Sequence, residues 1–158
     1  MFRELTRKNK EIPYEECVEI LRKEKRGVLS VLGDGGYPYG MPMNHVYCEE
    51  DGCLYFHCGR GGHREDAIRR CDRVSFCVYG DGERREGEWA LRFRSVIVFG
   101  RLELLDDRKR VEEITEKLCY KFTSDREYIR REIEGFAEKT VLLRLTPEQI
   151  CGKRIVES

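Results

Sequence analysis

The chain has 158 residues, 40% of them apolar and 38% charged, and its 30 Lys and Arg are balanced by 30 Asp and Glu. A zero net charge argues against a general nucleic-acid or membrane-surface role, and no apolar run approaches the roughly 20 residues that span a bilayer. One domain of this size buries about 70% of its unfolded surface, enough for a core of its own.

The first eight residues lack an apolar signal core, so a cytoplasmic location is expected. The eight cysteines form no C-x-x-C, and in a reducing compartment they read as free, largely buried thiols. A metal site from Cys53, His57, Cys58 and Cys71 fits no common zinc spacing.

In chain order, Pro13 opens a helix where a missing N–H costs least, and Cys17, Ile20 and Leu21 share one face of it. The helix runs to about residue 25, and Gly27 ends it. A strand over 28–32 follows, then the tight turn Asp34-Gly35-Gly36. A second strand over 37–48 alternates, with Tyr39, Met41, Met43, His45 and Tyr47 on one face. Pro38 and Pro42 cannot donate to a ladder and mark an edge or a bulge. A third strand covers 53–58. A glycine-rich loop leads into a short helix from 63 to 70, and a fourth strand covers 74–79. Residues 80–88 read as a solvated hairpin tip before a long strand over 93–104. Two amphipathic helices come next. The first has Val111, Ile114 and Leu118 on one face, and the second has Tyr128, Ile129, Ile133 and Phe136. A last strand over 141–145 stops at Thr146-Pro147. Hairpin-linked strands with few helices predict a mainly β fold: an antiparallel six-stranded split barrel with flanking helices, in one domain.

The chemistry concentrates at Cys58-Gly59-Arg60-Gly61-Gly62-His63-Arg64. A strand feeds a glycine loop, and the loop feeds a helix. Glycines let backbone N–H groups approach an anion, and a helix N-terminus carries unpaired donors and partial positive charge. The planar fork of Arg64 matches phosphate oxygens. The loop is neither a Walker A sequence nor a G-x-G-x-x-G turn. On these residues alone, a phosphomonoester cradle and a plain solvated loop both stand.

A wider pattern resembles the pyridoxamine 5'-phosphate oxidase-like split-barrel superfamily, and within it the nitroimidazole-resistance (Nim-type) branch. It is carried by Gly27-Val28-Leu29-Ser30-Val31, by residues 36–47, by Leu54-Tyr55-Phe56-His57, by Gly62-His63-Arg64, by Asp72-Arg73-Val74-Ser75-Phe76 and by Arg94-Ser95-Val96-Ile97-Val98-Phe99-Gly100-Arg101. The resemblance spans about residues 10 to 155. It implies a homodimer with flavin mononucleotide (FMN) at its interface. It maps the phosphate onto Gly62, His63 and Arg64, where relatives more often carry Lys at the last position. It lays the flavin ring beside Met43, Asn44 and His45, largely through backbone groups, and adds Ser95 and Arg94 from the long strand. It places His57 near the flavin edge, as the one candidate proton donor. The implied activity is an oxidoreductase that passes electrons from NAD(P)H through FMN to a small electrophile such as a nitroaromatic or a quinone. A carrier or sensor that binds flavin or haem without turnover is the alternative, with His45 and His57 as conceivable haem ligands. Pyridoxamine 5'-phosphate oxidation itself is less expected, because no second phosphate site stands out. His45 and His57 are equally readable as structural residues, Met41 and Met43 as core, and Trp89 as a rim or dimer contact.

Overall fold

The computed structural model describes residues 2–136 and 139–157. Helix α1 (Tyr14–Lys23) begins right after Pro13 and ends at Glu24. Strand β1 (Arg26–Leu32) follows, its alternate residues buried. The second predicted strand is two strands, β2 (Pro38–Asn44) and β3 (Val46–Cys48), divided at His45. Strand β4 (Cys53–Gly59), helix α2 (His63–Arg70) and strand β5 (Arg73–Tyr79) come next. The hairpin tip holds a two-residue strand, β6 (Glu83–Arg84), which pairs with the start of β7 (Leu91–Leu105). Helices α3 (Arg108–Tyr120) and α4 (Arg126–Phe136) precede β8 (Thr140–Glu157).

One curled antiparallel sheet runs in the order β2-β1-β5-β7-β8-β4-β3, so the described sheet has eight strands with β6 rather than six. It is a split barrel with helices against it. Strand β2 lies at an edge, which is where Pro38 and Pro42 can leave a donor missing without breaking a ladder.

Strand β8 departs most from expectation. Thr146-Pro147 does not stop it. Gly100 pairs with Pro147 and Phe99 with Gln149, so one extra residue bulges there and the ladder resumes as far as Glu157. A bulge absorbs the missing N–H of Pro147. Gly100 is required opposite it, since a Cβ there would lie 2.2 Å from the Thr146 carbonyl oxygen.

The barrel interior is filled by Leu29, Phe56, Phe76, Val96, Val98 and Leu143, with Leu21 of α1 plugging one end. A second cluster lies under α3, where Val111, Ile114 and Leu118 meet Val46, Tyr55 and Leu142. In α4, Ile129 is buried and Ile133 half-buried, while Tyr128 is exposed. The side chain of Phe136 lies outside the described residues. All eight cysteines are free thiols, four of them buried. Among the described residues no helix is long and apolar enough to cross a membrane.

Candidate functional site

Strand β4 delivers the chain into a loop that turns on Gly61 (φ 75°) and Gly62 (φ 86°), a left-handed backbone that glycine adopts without penalty. Gly62 caps α2, with no side-chain hydrogen bond to the helix N-terminus. A Cβ at Gly61 or Gly62 would meet nothing within 4 Å, so the turn is open on that side.

Arg64 Nη2 donates to the Gly59 carbonyl oxygen at 3.0 Å. Its Nε is buried without a hydrogen-bond partner, a donor left in want of an acceptor. His63 stacks on Tyr39 with ring centroids 4.4 Å apart and planes 11° from parallel. Its Nε2 accepts from the Asp34 N–H at 3.3 Å. Two acids compete for the cradle: Asp34 Oδ2 lies 3.5 Å from His63 Nε2, and Glu65 Oε2 accepts from the Gly61 N–H at 2.7 Å while Arg69 holds its other oxygen at 2.6 Å. Of the three predicted phosphate-binding positions, His63 is held by stacking and a hydrogen bond, and Arg64 alone carries a buried donor without a partner.

Met43, Asn44, Arg94 and Ser95 sit at the other end of β1. Gly27 pairs with Met43 and Arg26 with Asn44, whereas the cradle adjoins Gly33. Six residue steps of β1 separate the two ends, about 20 Å. The half-buried Met43 packs against the core. Asn44 Oδ1 accepts from Arg26 Nε at 3.2 Å. Ser95 is 8% exposed and pairs with both Tyr79 and Lys153. Arg94 reaches Glu16 of α1 at 3.1 Å.

His45 lies in the core. Its side chain is 0% exposed, with Nε2 2.8 Å from the Leu21 carbonyl oxygen and its ring edge-on to Phe76. Its backbone is used as well, the N–H by Lys25 O and the carbonyl by Lys121 Nζ. Burial, reinforced by the nearby Lys121 charge, pushes its pKa down to about 3, so the ring is neutral. The side chain belongs to the core, as the structural reading of this histidine expects.

A broad concavity of about 1170 Å³ opens beside Arg94, between α1, the β5–β6 turn and the joined ends of β7 and β8. Arg154 and Tyr79 also line it. Neither stood out in the sequence, because Arg154 lies past the proline that reads as the end of a strand.

A family model described as pyridoxamine 5'-phosphate oxidase matches residues 13–154. The chain belongs to this family. A candidate 5-nitroimidazole antibiotic resistance protein from Bacteroides thetaiotaomicron is 18% identical with a TM-score of 0.75, over 92% of this chain and 87% of its own. An FAD-binding protein from Mesorhizobium loti is 25% identical with a TM-score of 0.63, over 94% and 97%. An FAD- and heme-binding protein from Mycobacterium smegmatis is 22% identical with a TM-score of 0.69, over 91% and 72%. No curated protein sequence matches.

In this member of the pyridoxamine 5'-phosphate oxidase family, His57 stands apart from the cradle. It is exposed on β4 and pairs with Leu142. It alternates with the buried Cys58, the thiol that feels the charge of Arg64. His57 therefore leaves β4 on the opposite face from Arg64. Surrounding protein lowers its pKa through desolvation. Trp89 lies exposed past the hairpin tip, its carbonyl oxygen held by Arg84.

Proposed function

We propose that this protein is an FMN-dependent oxidoreductase that passes electrons from NAD(P)H to a small electrophile such as a nitroaromatic or a quinone, working as a homodimer. The observation that carries the reading is Arg64 at the N-terminus of α2, whose buried Nε has no partner beside a glycine turn at Gly61 and Gly62 that no side chain of its own covers. Family membership supports it, and so do the FAD-binding proteins among the structural relatives.

In this reading Arg64 and the first amides of α2 grip the phosphate, and Tyr39 holds the His63 ring flat beside it. Bound flavin supplies the two-electron chemistry, and the protein supplies binding, orientation and exclusion of water. Met43, Asn44 and Ser95 lie along the strands that the isoalloxazine ring would follow. Because His57 leaves β4 on the far side from the cradle, we assign it to the site of the second copy. There it would hand a proton to a reduced acceptor.

The dimer reading rests on the sheet's outer face. Ser30, Ser75, Cys77, Ile97, Phe99 and Cys151 alternate away from the barrel core on neighbouring strands, and all are half-buried. Small and apolar side chains in such a row suit a flat contact with a second copy.

Titration of FMN into wild type and Arg64→Ala tests the cradle. A charge-assisted contact contributes about 1.5–3 kcal/mol, so affinity should fall about 10- to 100-fold. Equal affinity in the two proteins would place the phosphate elsewhere. NAD(P)H oxidation coupled to nitroimidazole loss by the flavin-loaded protein then tests turnover.

A further inference from the structure

The end of the barrel remote from the cradle, toward which the flavin ring would extend, also carries an arginine group that the proposed function does not use. Arg94 of β7 and Arg154 of β8 are paired directly in register. Like charges directly opposite each other on adjacent strands repel. Here one carboxylate lies between them. Glu16 of α1 holds Arg94 Nη1 through Oε2 at 3.1 Å and Arg154 Nη2 through Oε1 at 3.2 Å. Arg94 first, and Arg154 after it, hold the Glu16 carboxyl below the usual carboxylate range.

A third guanidinium belongs to the group. Arg92 precedes Arg94 by two residues and so shares its face of β7. It pairs with Glu88 through Nη2, and its Nη1 is buried with no partner. Three guanidiniums thus face two carboxylates. All three arginines and Glu16 line the 1170 Å³ concavity. Acids and bases nearly balance around the rest of that rim, so overall charge does not select an anion. The local grouping does: three planar forks converge where only single carboxylates now answer them.

The concavity also offers an aromatic wall. Tyr79 is 60% exposed, and its ring lies 6.1 Å from that of Phe93. Both line the cavity. Its volume exceeds the range of roughly 300–1,000 Å³ common for small-ligand pockets, leaving room for a base, a sugar and a phosphate together.

We infer that this concavity is a second ligand site, one for the phosphorylated end of a nucleotide, with Arg92, Arg94 and Arg154 as the phosphate grip and Glu16 as a resident competitor that the phosphate displaces. Its separateness rests on the flavin phosphate lying at Gly62–Arg64. No bond is made or broken in this step. A dianion replaces a monoanion between the same guanidiniums.

The probe is 5'-AMP, titrated by calorimetry at low salt into wild type, Glu16→Gln and Arg154→Ala, each with and without saturating FMN. Glu16 and Arg154 are surface groups, and thermal melts check that both variants fold. The expected result has three parts. Arg154→Ala weakens 5'-AMP binding at least tenfold. Glu16→Gln strengthens it severalfold, because the arginines lose their internal partner; a purely structural ion pair would not give that sign. FMN leaves both effects unchanged. Equal binding of adenosine and 5'-AMP would overturn the phosphate grip, as would absence of binding in both wild type and Glu16→Gln. If FMN competes with 5'-AMP, and Arg154→Ala rather than Arg64→Ala weakens FMN, the concavity is the flavin's own and the second site is refuted. If Arg64→Ala weakens FMN as expected while 5'-AMP is ignored, the flavin reading stands and this inference alone falls.

Discussion

The Nε2 of His45 donates to the carbonyl oxygen of Leu21 across 2.8 Å, tying the junction of β2 and β3 to the last turns of α1 inside the core. The bond needs no charge on the ring, and burial disfavours one, so the folded pKa is about 3 against an ordinary 6.5. The unfolded chain therefore binds a proton in that range that the folded chain refuses. This contribution to stability is complete above pH 6.5 and is lost as pH falls toward 3, by up to about 1.4 kcal/mol per pH unit. Carboxylates held low by partners, such as Glu50 at about 2, add their own losses only below about pH 4.5. Urea denaturation between pH 6.5 and 4.5 should thus show a falling stability that His45→Phe flattens. An equally steep slope in that variant would clear His45 of the effect.

Lys121 works in the opposite pH range. Its Nζ donates to the carbonyl oxygens of Glu24 and His45, at 2.5 and 3.0 Å, and fastens the end of α3 to the end of α1 and to the junction of β2 and β3. Desolvation lowers its pKa from 10.5 to about 8. The folded state therefore gives up this proton more readily than the unfolded state. Stability from this group rises as pH climbs from 8 to 10.5. Cys17 acts against it above pH 9, because burial pushes its thiol up to about 11. The informative quantity is the difference between wild type and Lys121→Met across pH 8 to 10. That difference should grow in favour of wild type as pH rises, and a constant difference would contradict the assignment.

Gly100 sits across from the bulge that carries β8 past Pro147. An added methyl would lie 2.2 Å from the Thr146 carbonyl oxygen, a backbone atom that cannot swing aside. Gly100→Ala should destabilise the protein by about 2 kcal/mol or more, lowering the melting midpoint by roughly 5 °C. Because β8 beyond the bulge carries Arg154 to Arg94, the same variant should also loosen the ion pairs to Glu16. Unchanged stability would mean that the strands part easily at this point.

These residues also explain what could be read in advance. Alternation and glycine punctuation are local signals, and they placed β1, β4, β5, α1 and α2 within a few residues. The glycine turn into α2 was legible for the same reason, since Gly61, Gly62, His63 and Arg64 adjoin in the chain. Pro147 misled because a proline forbids one hydrogen bond, not a strand. Whether a bulge will absorb it depends on Gly100, 47 positions earlier. The burial of His45 depends on Leu21 and Phe76, and the arginine group depends on Glu16, partners that only the closed sheet brings near. His57 was located correctly on its strand, but its face relative to Arg64 follows from the register of β4 against β8.

That register leads to the last prediction. His57 points away from the cradle of its own chain, so His57→Ala should leave FMN affinity in the dimer within about twofold of wild type. Turnover of a nitroaromatic should still fall, by the 10²–10⁴-fold that a positioned proton donor typically contributes. The lowered pKa fixes the direction of the pH profile. Only the protonated ring can donate, and desolvation shrinks that fraction at neutral pH. The His57-dependent part of the rate should therefore decline as pH rises through a value below 6.5, and the profile of His57→Ala should lack that limb. Mixing His57→Ala with Arg64→Ala subunits adds a sharper test. In a mixed dimer, one site keeps both the intact cradle and the histidine of the other chain, while the second site loses both. At an FMN concentration that fills wild type but leaves Arg64→Ala largely empty, mixed dimers should recover about half of the wild-type activity, although each parent variant alone has little. If recovery is absent while flavin remains bound, His57 does not serve the neighbouring site.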